Sequence, residues 1–151
     1  MLNEEAVINY IAAQERSISG VRNSYDYAKN PDNLTAQMAP AVIHYIPNFQ
    51  MKPLAHHNVW DEVLKPVSIL FVKPRQSASG KLAYLENEAI PFSYKWRQKF
   101  QDHTVLSNAL AGMGARKAWL ESGAYGAGGT FLTYAGVEWI GWIFTFNVAS
   151  A

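Results

Sequence analysis

The last part of the chain alternates in side-chain character, and this pattern constrains the fold more than any other. Every second position holds a large apolar residue: Ile140, Trp142, Phe144, Phe146 and Val148. A period of two predicts a β-strand, because successive strand side chains point to opposite faces of a sheet. Gly136 is expected to form a bulge or bend that separates this strand from residues 130–134. One face of the resulting sheet is strongly apolar and needs a second layer to cover it.

Two helices are predicted to supply that layer. Asn3 is a helix cap, and apolar residues at helical spacing follow it until Gly20, with Glu15 on the same stripe. A second amphipathic helix is predicted between Ile90 and Leu110, with Pro91 in its first turn. Its apolar positions include Trp96 and Phe100, which we expect to pack against the alternating strand.

Further strands are predicted along the rest of the chain, at 40–49, 63–73 and 115–123. Residues 81–85 are interpreted as a short hairpin strand or as part of a mobile loop, and residues 51–61 as irregular. The expected fold class is α+β: a mainly antiparallel sheet with two principal helices packed on one face. With 151 residues and 49% hydrophobic composition, we expect a single domain over 1–151.

Composition removes several classes of function. A formal net charge of +1 provides no bulk field for nucleic acid or an anionic membrane. The absence of cysteine excludes disulfides, thiolate nucleophiles and Cys-based metal sites. The acidic N-terminus does not resemble a secretory signal, which favours a protein made in the cytoplasm. Residues 131–148 contain Glu138 and lack flanking cations, so a membrane helix is not expected.

The strongest metal-site pattern is the pair His56 and His57, with Asp61 four residues beyond and His44 in a neighbouring predicted strand. Adjacent strand histidines point to opposite faces, so solvated or interface histidines are the favoured interpretation. A histidine-dependent metalloenzyme remains a third hypothesis. The predicted metal, cofactor and catalytic residues are therefore none, and we expect no enzyme activity.

Two other patterns have ordinary structural explanations. Residues 123–130 match a phosphate-binding loop except that Gly129 replaces the essential lysine, which favours a turn between strands. Lys95, Arg97 and Lys99 alternate with aromatic residues, as in some nucleic-acid-binding segments. Helical geometry instead places Trp96 toward the core and the basic residues in solvent.

The order of these elements resembles the tail terminator family of tailed bacteriophages. The residues that carry the resemblance are the N-terminal helix, the Pro-Ala-Val-Ile-His-Tyr strand at 40–45, and the closing stretch at 134–144. The likeness covers nearly the whole chain as element order and loose patterns. It implies a virion protein at the tail–neck junction, made in the host cytoplasm, without enzymatic activity or cofactor.

The resemblance also implies partners. Six copies would form a ring that caps the tail tube and joins it to the neck or head connector, with DNA passing through the lumen without sequence-specific binding. Loops at 50–61 and 75–80 are expected to make axial contacts, and Trp60, Arg75 and Lys81 are the candidate interface residues. Two alternatives stay open. One is another neck component, such as a head-completion or connector protein, and the other is a dimeric ferredoxin-like module that binds a small ligand.

Overall fold

The computed structural model describes the backbone of residues 2–53, 60–75 and 82–150, and their side chains except at 60 and 82–85. Within these ranges the chain forms three α-helices and eight strands. In order they are α1 (Glu4–Arg16), β1 (Asn23–Ser24), β2 (Ala41–Tyr45), β3 (Phe49–Pro53), β4 (Trp60–Leu64), β5 (Val67–Pro74), α2 (Leu82–Lys99), α3 (His103–Leu110), β6 (Lys117–Tyr125), β7 (Leu132–Tyr134) and β8 (Val137–Ala149).

The long strand β8 is the centre of one mainly antiparallel sheet. Strands β4 and β5 both pair with one edge of β8, and the register continues from Leu64 to Val67. The two strands therefore form one line, interrupted at Lys65 and Pro66. Along the opposite edge lie β7 and then β6. Strands β2 and β3 pair antiparallel with β5 and β4, and the short β1 adds to β2 in parallel. The predicted α+β class with a mainly antiparallel sheet is confirmed.

The three helices share one hydrophobic core with one face of the sheet. The alternating residues of β8 lie on this face and contact α2: Trp96 stacks on Phe144 with ring centroids 4.7 Å apart, and Phe100 meets Phe146 edge to face at 4.9 Å. The predicted core pairing of β8 with the second helix is therefore confirmed.

A second, smaller core covers the opposite face of the sheet. The segment before β2 supplies Leu34 and Ala39, which pack with Phe71 and Trp139. Trp139 and Trp142 lie on opposite faces, as the alternation predicts, and each belongs to a different hydrophobic cluster. Both faces at the centre of the sheet are thus covered by the chain itself.

The prediction of one helix between Ile90 and Leu110 is wrong in its boundaries. Helix α2 begins at Leu82, so Pro91 lies inside it, at an exposed position where it provides no N–H for the helical hydrogen bond to the carbonyl four residues earlier. The helix ends at Lys99, and a new one starts where the Asp102 side chain accepts hydrogen bonds from Thr104 N and Val105 N, at 2.9 and 3.3 Å. Three α-helices therefore replace the two principal helices expected from the sequence.

Two strand predictions also need correction. Residues 82–85 open α2 rather than forming a hairpin strand, and residues 76–81 lie outside the described part of the chain. Residues 51–53 and 60–61, expected to be irregular, belong to β3 and β4. They escape the alternation test because β3 is only five residues long and exposed on both faces.

The expected division near Gly136 is present. Ala135 and Gly136 have φ of 49° and 81° and form the two-residue turn between β7 and β8. Positive φ at both central residues matches the right-handed twist of the paired strands. Residues 137–149 are thus a strand, and none of the described helices combines the length and apolar character that a membrane crossing requires.

Candidate functional site

The structure separates two of the predicted interface residues and does not describe the third. Trp60 begins β4 and Arg75 follows the end of β5, so they lie at opposite ends of the same line of strand, roughly 45 Å apart at the usual rise per residue. The side chain of Trp60 and all of Lys81 lie outside the described residues. The three residues therefore do not form one compact site.

Arg75 is bound to its own chain. Its guanidinium donates to Glu138 Oε2 at 3.1 Å and lies 4.5 Å from the centroid of the Phe131 ring. Both side chains of the ion pair are about half exposed, so solvent screens the attraction. Arg75 thus presents a partly neutralised surface near the β7–β8 hairpin.

Among the strand side chains that the structure describes, the most exposed large apolar one is Phe49 on β3. Phe49 is 64% exposed and Met51 43% exposed, and they share the sheet face that carries the helices, since Phe49 lies opposite Leu64. Gln50 and Lys52 occupy the other face. Strand β3 pairs with β4 on one side and with no described strand on the other. An exposed edge strand with apolar side chains is a preferred site for pairing with another chain.

The backbone of β3 offers hydrogen-bonding groups along this edge. Lys65 N donates to Asn48 O at 3.2 Å, which makes residues 48 and 65 a hydrogen-bonded pair of the ladder. Since bonded and non-bonded pairs alternate, Gln50 also turns its N–H and C=O toward β4. The backbone groups of Phe49 and Met51 therefore point outward, beside their own exposed side chains.

The neighbouring edge of β2 is closed, in contrast to β3. Strand β1 covers its first residues, and Tyr25 N donates to Val42 O at 3.0 Å. Further along, the Asn30 side chain donates to His44 O at 2.9 Å and accepts from His44 N at 3.3 Å. An amide side chain thus replaces a missing strand. This protection ends before β3 begins.

The edge of β6 is closed over its first half only. Ser107 Oγ of α3 accepts from Ala118 N at 2.9 Å, and its one hydrogen lies between two acceptors, His103 O at 2.6 Å and Ala118 O at 3.2 Å. A bulge between Leu120 and Ser122 then shifts the register. Gly126 N donates to Gly141 O at 2.9 Å, so by alternation the backbone groups of Gly123 and Tyr125 point outward.

Residues of the hypothetical metal site do not come together in the described part of the chain. His56 and His57 lie outside it, and His44 is only 4% exposed with both ring nitrogens engaged. Asp61 instead accepts from Ser150 Oγ at 3.5 Å. The described residues contain no cluster of three or more potential metal-ligating side chains.

A buried polar cluster joins α1, β2 and α2. Glu15 is fully buried; one of its carboxylate oxygens bonds His44 Nε2, and the other accepts from Trp96 Nε1 at 2.9 Å. His44 Nδ1 lies 2.6 Å from Tyr25 O, an acceptor only, so we assign the imidazole hydrogen to Nδ1. The hydrogen bond between His44 Nε2 and the Glu15 carboxyl group completes the network. Because solvent does not reach it, the cluster ties elements together rather than meeting a substrate.

The remaining sequence patterns have structural roles. Lys95 Nζ donates to Ser19 O at 2.7 Å, whereas Arg97 and Lys99 are exposed and Trp96 is fully buried, as predicted. The glycine-rich residues 126–129 form a turn after β6, which confirms the expected connection between strands. Three of its glycines have positive φ.

Sequence reasoning missed both the β3 edge and the buried cluster, although a signal existed for the second. Glu15 lies on the apolar stripe of α1, and His44 shares its parity with buried Val42. Two polar residues at core positions of different elements indicate a buried pair. No local pattern shows that the outer edge of β3 is open, because this depends on where distant segments end.

No protein-family model matches the chain, and no curated protein is significantly similar to it.

Proposed function

We propose that this protein is a structural virion subunit that forms a ring, hexameric by its resemblance to tail terminators, which caps a phage tail tube and joins it to the neck. The proposal combines two independent arguments. The element order and the closing hairpin give the family resemblance, and the surface of the subunit gives the mode of action, which is assembly.

The observation that carries the assembly argument is the outer edge of β3, which no described strand covers. The chain covers the edge of β2 with Asn30 and part of the edge of β6 with Ser107. It leaves Phe49 and Met51 exposed on an edge with outward backbone groups. Such an edge promotes uncontrolled aggregation unless a partner strand covers it. A subunit that acts through a closed ring has that partner in each neighbouring copy.

The proposed ring has no need of an internal ligand site. A small-ligand module of the ferredoxin-like type would hold its ligand between helix and sheet. Here the layer between α2 and β8 is filled by the stacked rings of Trp96 and Phe144, which a ligand would have to displace. A layer filled in this way favours a subunit whose contacts are made at its surface. Another neck component shares these features and differs in the partners at the two ends of the ring.

Native mass spectrometry of the purified full chain over a concentration series tests the proposal, together with negative-stain imaging of any large species. The expected result is a hexamer that appears in images as a ring with a central opening. A dimer as the largest species would favour the ligand-binding module, and a monomer at every concentration would contradict ring formation by this chain alone. Binding of the ring to the end of isolated tail tubes then separates a terminator from a connector.

A further inference from the structure

We infer that the contact between neighbouring copies is a strand pairing in which β3 of one copy adds to the open part of β6 of the next. This inference rests on the proposed ring function and specifies which surfaces build it. It commits to a second copy of this chain as the occupant of the β3 edge.

The two edges lie on opposite sides of the molecule, as a ring contact requires. Strand β3 belongs to the half of the sheet that attaches to β8 through β4, whereas β6 pairs with the other edge of β8. A contact between unlike surfaces on opposite sides leaves one of each free in every growing oligomer. Repetition of such a contact closes into a ring when the rotation per copy is a whole fraction of a turn without a rise along the axis, and otherwise gives an open filament.

The two edges also match residue by residue. On β3 the outward backbone groups belong to Phe49 and Met51, and on β6 they belong to Gly123 and Tyr125. In both strands these residues occupy positions on the helix-bearing face: Phe49 lies opposite Leu64, and Gly123 and Tyr125 lie opposite Phe144 and Trp142. Pairing through these groups therefore places Phe49 and Met51 on the same face as the hydrophobic core of the neighbouring copy.

That face offers a space for an apolar side chain. A hollow of about 220 Å³ beside Gly123 is lined on its apolar side by Leu120 and Phe144, and elsewhere by the polar side chains of Ser93, Arg97, Glu121 and Ser122. Gly123 contributes no side chain to fill it, and a Cβ at this position would lie 3.0 Å from the Phe144 ring. Phe49 or Met51 of a paired copy would lie next to this hollow. Burial there removes apolar surface that the isolated subunit exposes to water.

The charges of the two segments are compatible with pairing. Residues 48–51 and 122–125 are all uncharged. The first charged residues beyond them are Lys52 on β3 and Glu121 on β6, which have opposite signs. Like charges that face each other across two strands oppose pairing. Neither segment contains a charged residue, so no such repulsion arises within them. Pairing of β3 with itself in a symmetric dimer lacks this complementarity, because residues 48–53 contain no acidic side chain to meet Lys52.

Disulfide cross-linking tests the contact directly, because the chain has no cysteine of its own. Gln50 and Ala124 are exposed and lie on the face away from the helices, between the outward-pointing residues of each edge. In an antiparallel or parallel pairing they become close cross-strand neighbours. Full-length Gln50→Cys protein is mixed with Ala124→Cys or with Ser122→Cys protein and oxidised mildly. Asn108→Cys, an exposed position on α3, replaces the second partner as the matched control.

The expected result is a cross-link between Gln50→Cys and one of the two β6 variants, and none with Asn108→Cys. A second variant measures the apolar contribution without cysteine chemistry. Phe49→Ser combined with Met51→Ser should raise the concentration at half-assembly at least about tenfold, since each side chain loses its burial at the contact. Tyr94→Ser, which removes an equally exposed aromatic from α2, should leave it unchanged.

The outcomes separate this contact from the proposed function. Rings that form with no cross-link to β6, and that tolerate the Phe49→Ser and Met51→Ser pair, overturn the contact and leave the ring function intact. Cross-linked open chains without closed rings support the contact and contradict the function. A Gln50→Cys cross-link to its own copy in a dimer overturns the contact, as does a protein that stays monomeric without any cross-link, which also contradicts the ring.

Discussion

Glu15, His44 and Trp96 show how single residues hold different elements of this fold in place. The Glu15 carboxylate is the acceptor for Trp96 Nε1 and the partner of His44 Nε2, and none of these groups can exchange its partner for water. Removing one partner leaves the others buried and unsatisfied, which is costly in a region of low dielectric constant. The cluster thus makes the packing of α1 against β2 and α2 specific as well as stable.

Glu15→Ala and His44→Ala are each expected to lower the free energy of unfolding by about 3–5 kcal/mol. The double variant should cost clearly less than the sum of the two, because the first substitution already breaks the shared bond. Urea denaturation of the four proteins in this cycle provides the measurement. Gln98→Ala, an exposed helix substitution, is the control. Strictly additive losses would show that the two side chains are energetically independent.

Three tyrosines make the fold sensitive to alkaline pH. Burial raises the pKa of Tyr25, Tyr125 and Tyr134 above the ordinary value for a phenol. The negative charge of Glu86 raises the pKa of Tyr125 further. For Tyr134, Asp32 and Tyr25 raise the pKa further. The folded state then keeps protons that the unfolded state loses above about pH 10. We therefore expect the contribution of these tyrosines to the free energy of unfolding to be constant below about pH 10 and to fall as the pH rises above it.

The measurement is a series of denaturant titrations across the alkaline range, for the natural chain and for Tyr125→Phe. The variant lacks one of the ionising groups, so its stability should fall less steeply with pH. Tyr27→Phe is the matched control, because the Tyr27 side chain is exposed. Equal slopes for all three proteins would mean that Tyr125 makes no contribution to the alkaline loss.

At the scale of elements, the pairing of β8 with α2 carries the main core. Phe144 is 2% exposed; it stacks on Trp96 at 4.7 Å and lies 5.9 Å from the ring of Trp142. We expect Phe144→Ala to lower the free energy of unfolding by about 3–5 kcal/mol, because rigid aromatic neighbours close the cavity poorly. Chemical denaturation checks this, with exposed Val105→Ala as the control. A loss below about 1 kcal/mol would contradict a central role for Phe144.

The sequence predicts an element well when its pattern extends over many residues and when its boundaries depend on neighbouring residues of the chain. The alternation in β8 extends over many residues and identified the strand, its buried face and its contacts with Trp96 and Phe100. Pro91 misled the prediction because proline is common at helix starts, yet an exposed proline is also tolerated inside α2. The Asp102 cap that starts α3 was hidden inside a continuous apolar periodicity, since α2 and α3 face the same core.

At the scale of the whole molecule, the sequence could not show which strand edges stay open. That property depends on Asn30 reaching His44 and on Ser107 reaching Ala118, and each of these contacts joins separate elements. The same limit applies to Trp60 and Arg75. Composition marks both as plausible contact residues, but only the continuous line of β4 and β5 shows that they lie at opposite ends. A single interface patch containing both is therefore excluded within one copy.

Arg75 provides a test of what its end of the molecule contributes to assembly. Arg75→Ala removes a half-exposed ion pair and a contact with Phe131, so the free energy of unfolding should fall by no more than about 1 kcal/mol. If this end contacts a neighbouring copy in the proposed ring, the concentration at half-assembly should rise while folding is preserved. Native mass spectrometry measures the concentration at half-assembly, and chemical denaturation measures the free energy of unfolding.

Glu138→Ala separates the two possible reasons for weaker assembly, because it removes the same ion pair but leaves the guanidinium of Arg75 available. Assembly that is weakened by Arg75→Ala and not by Glu138→Ala would assign the effect to a contact made by Arg75 itself, and normal assembly of both variants would remove Arg75 from the interface.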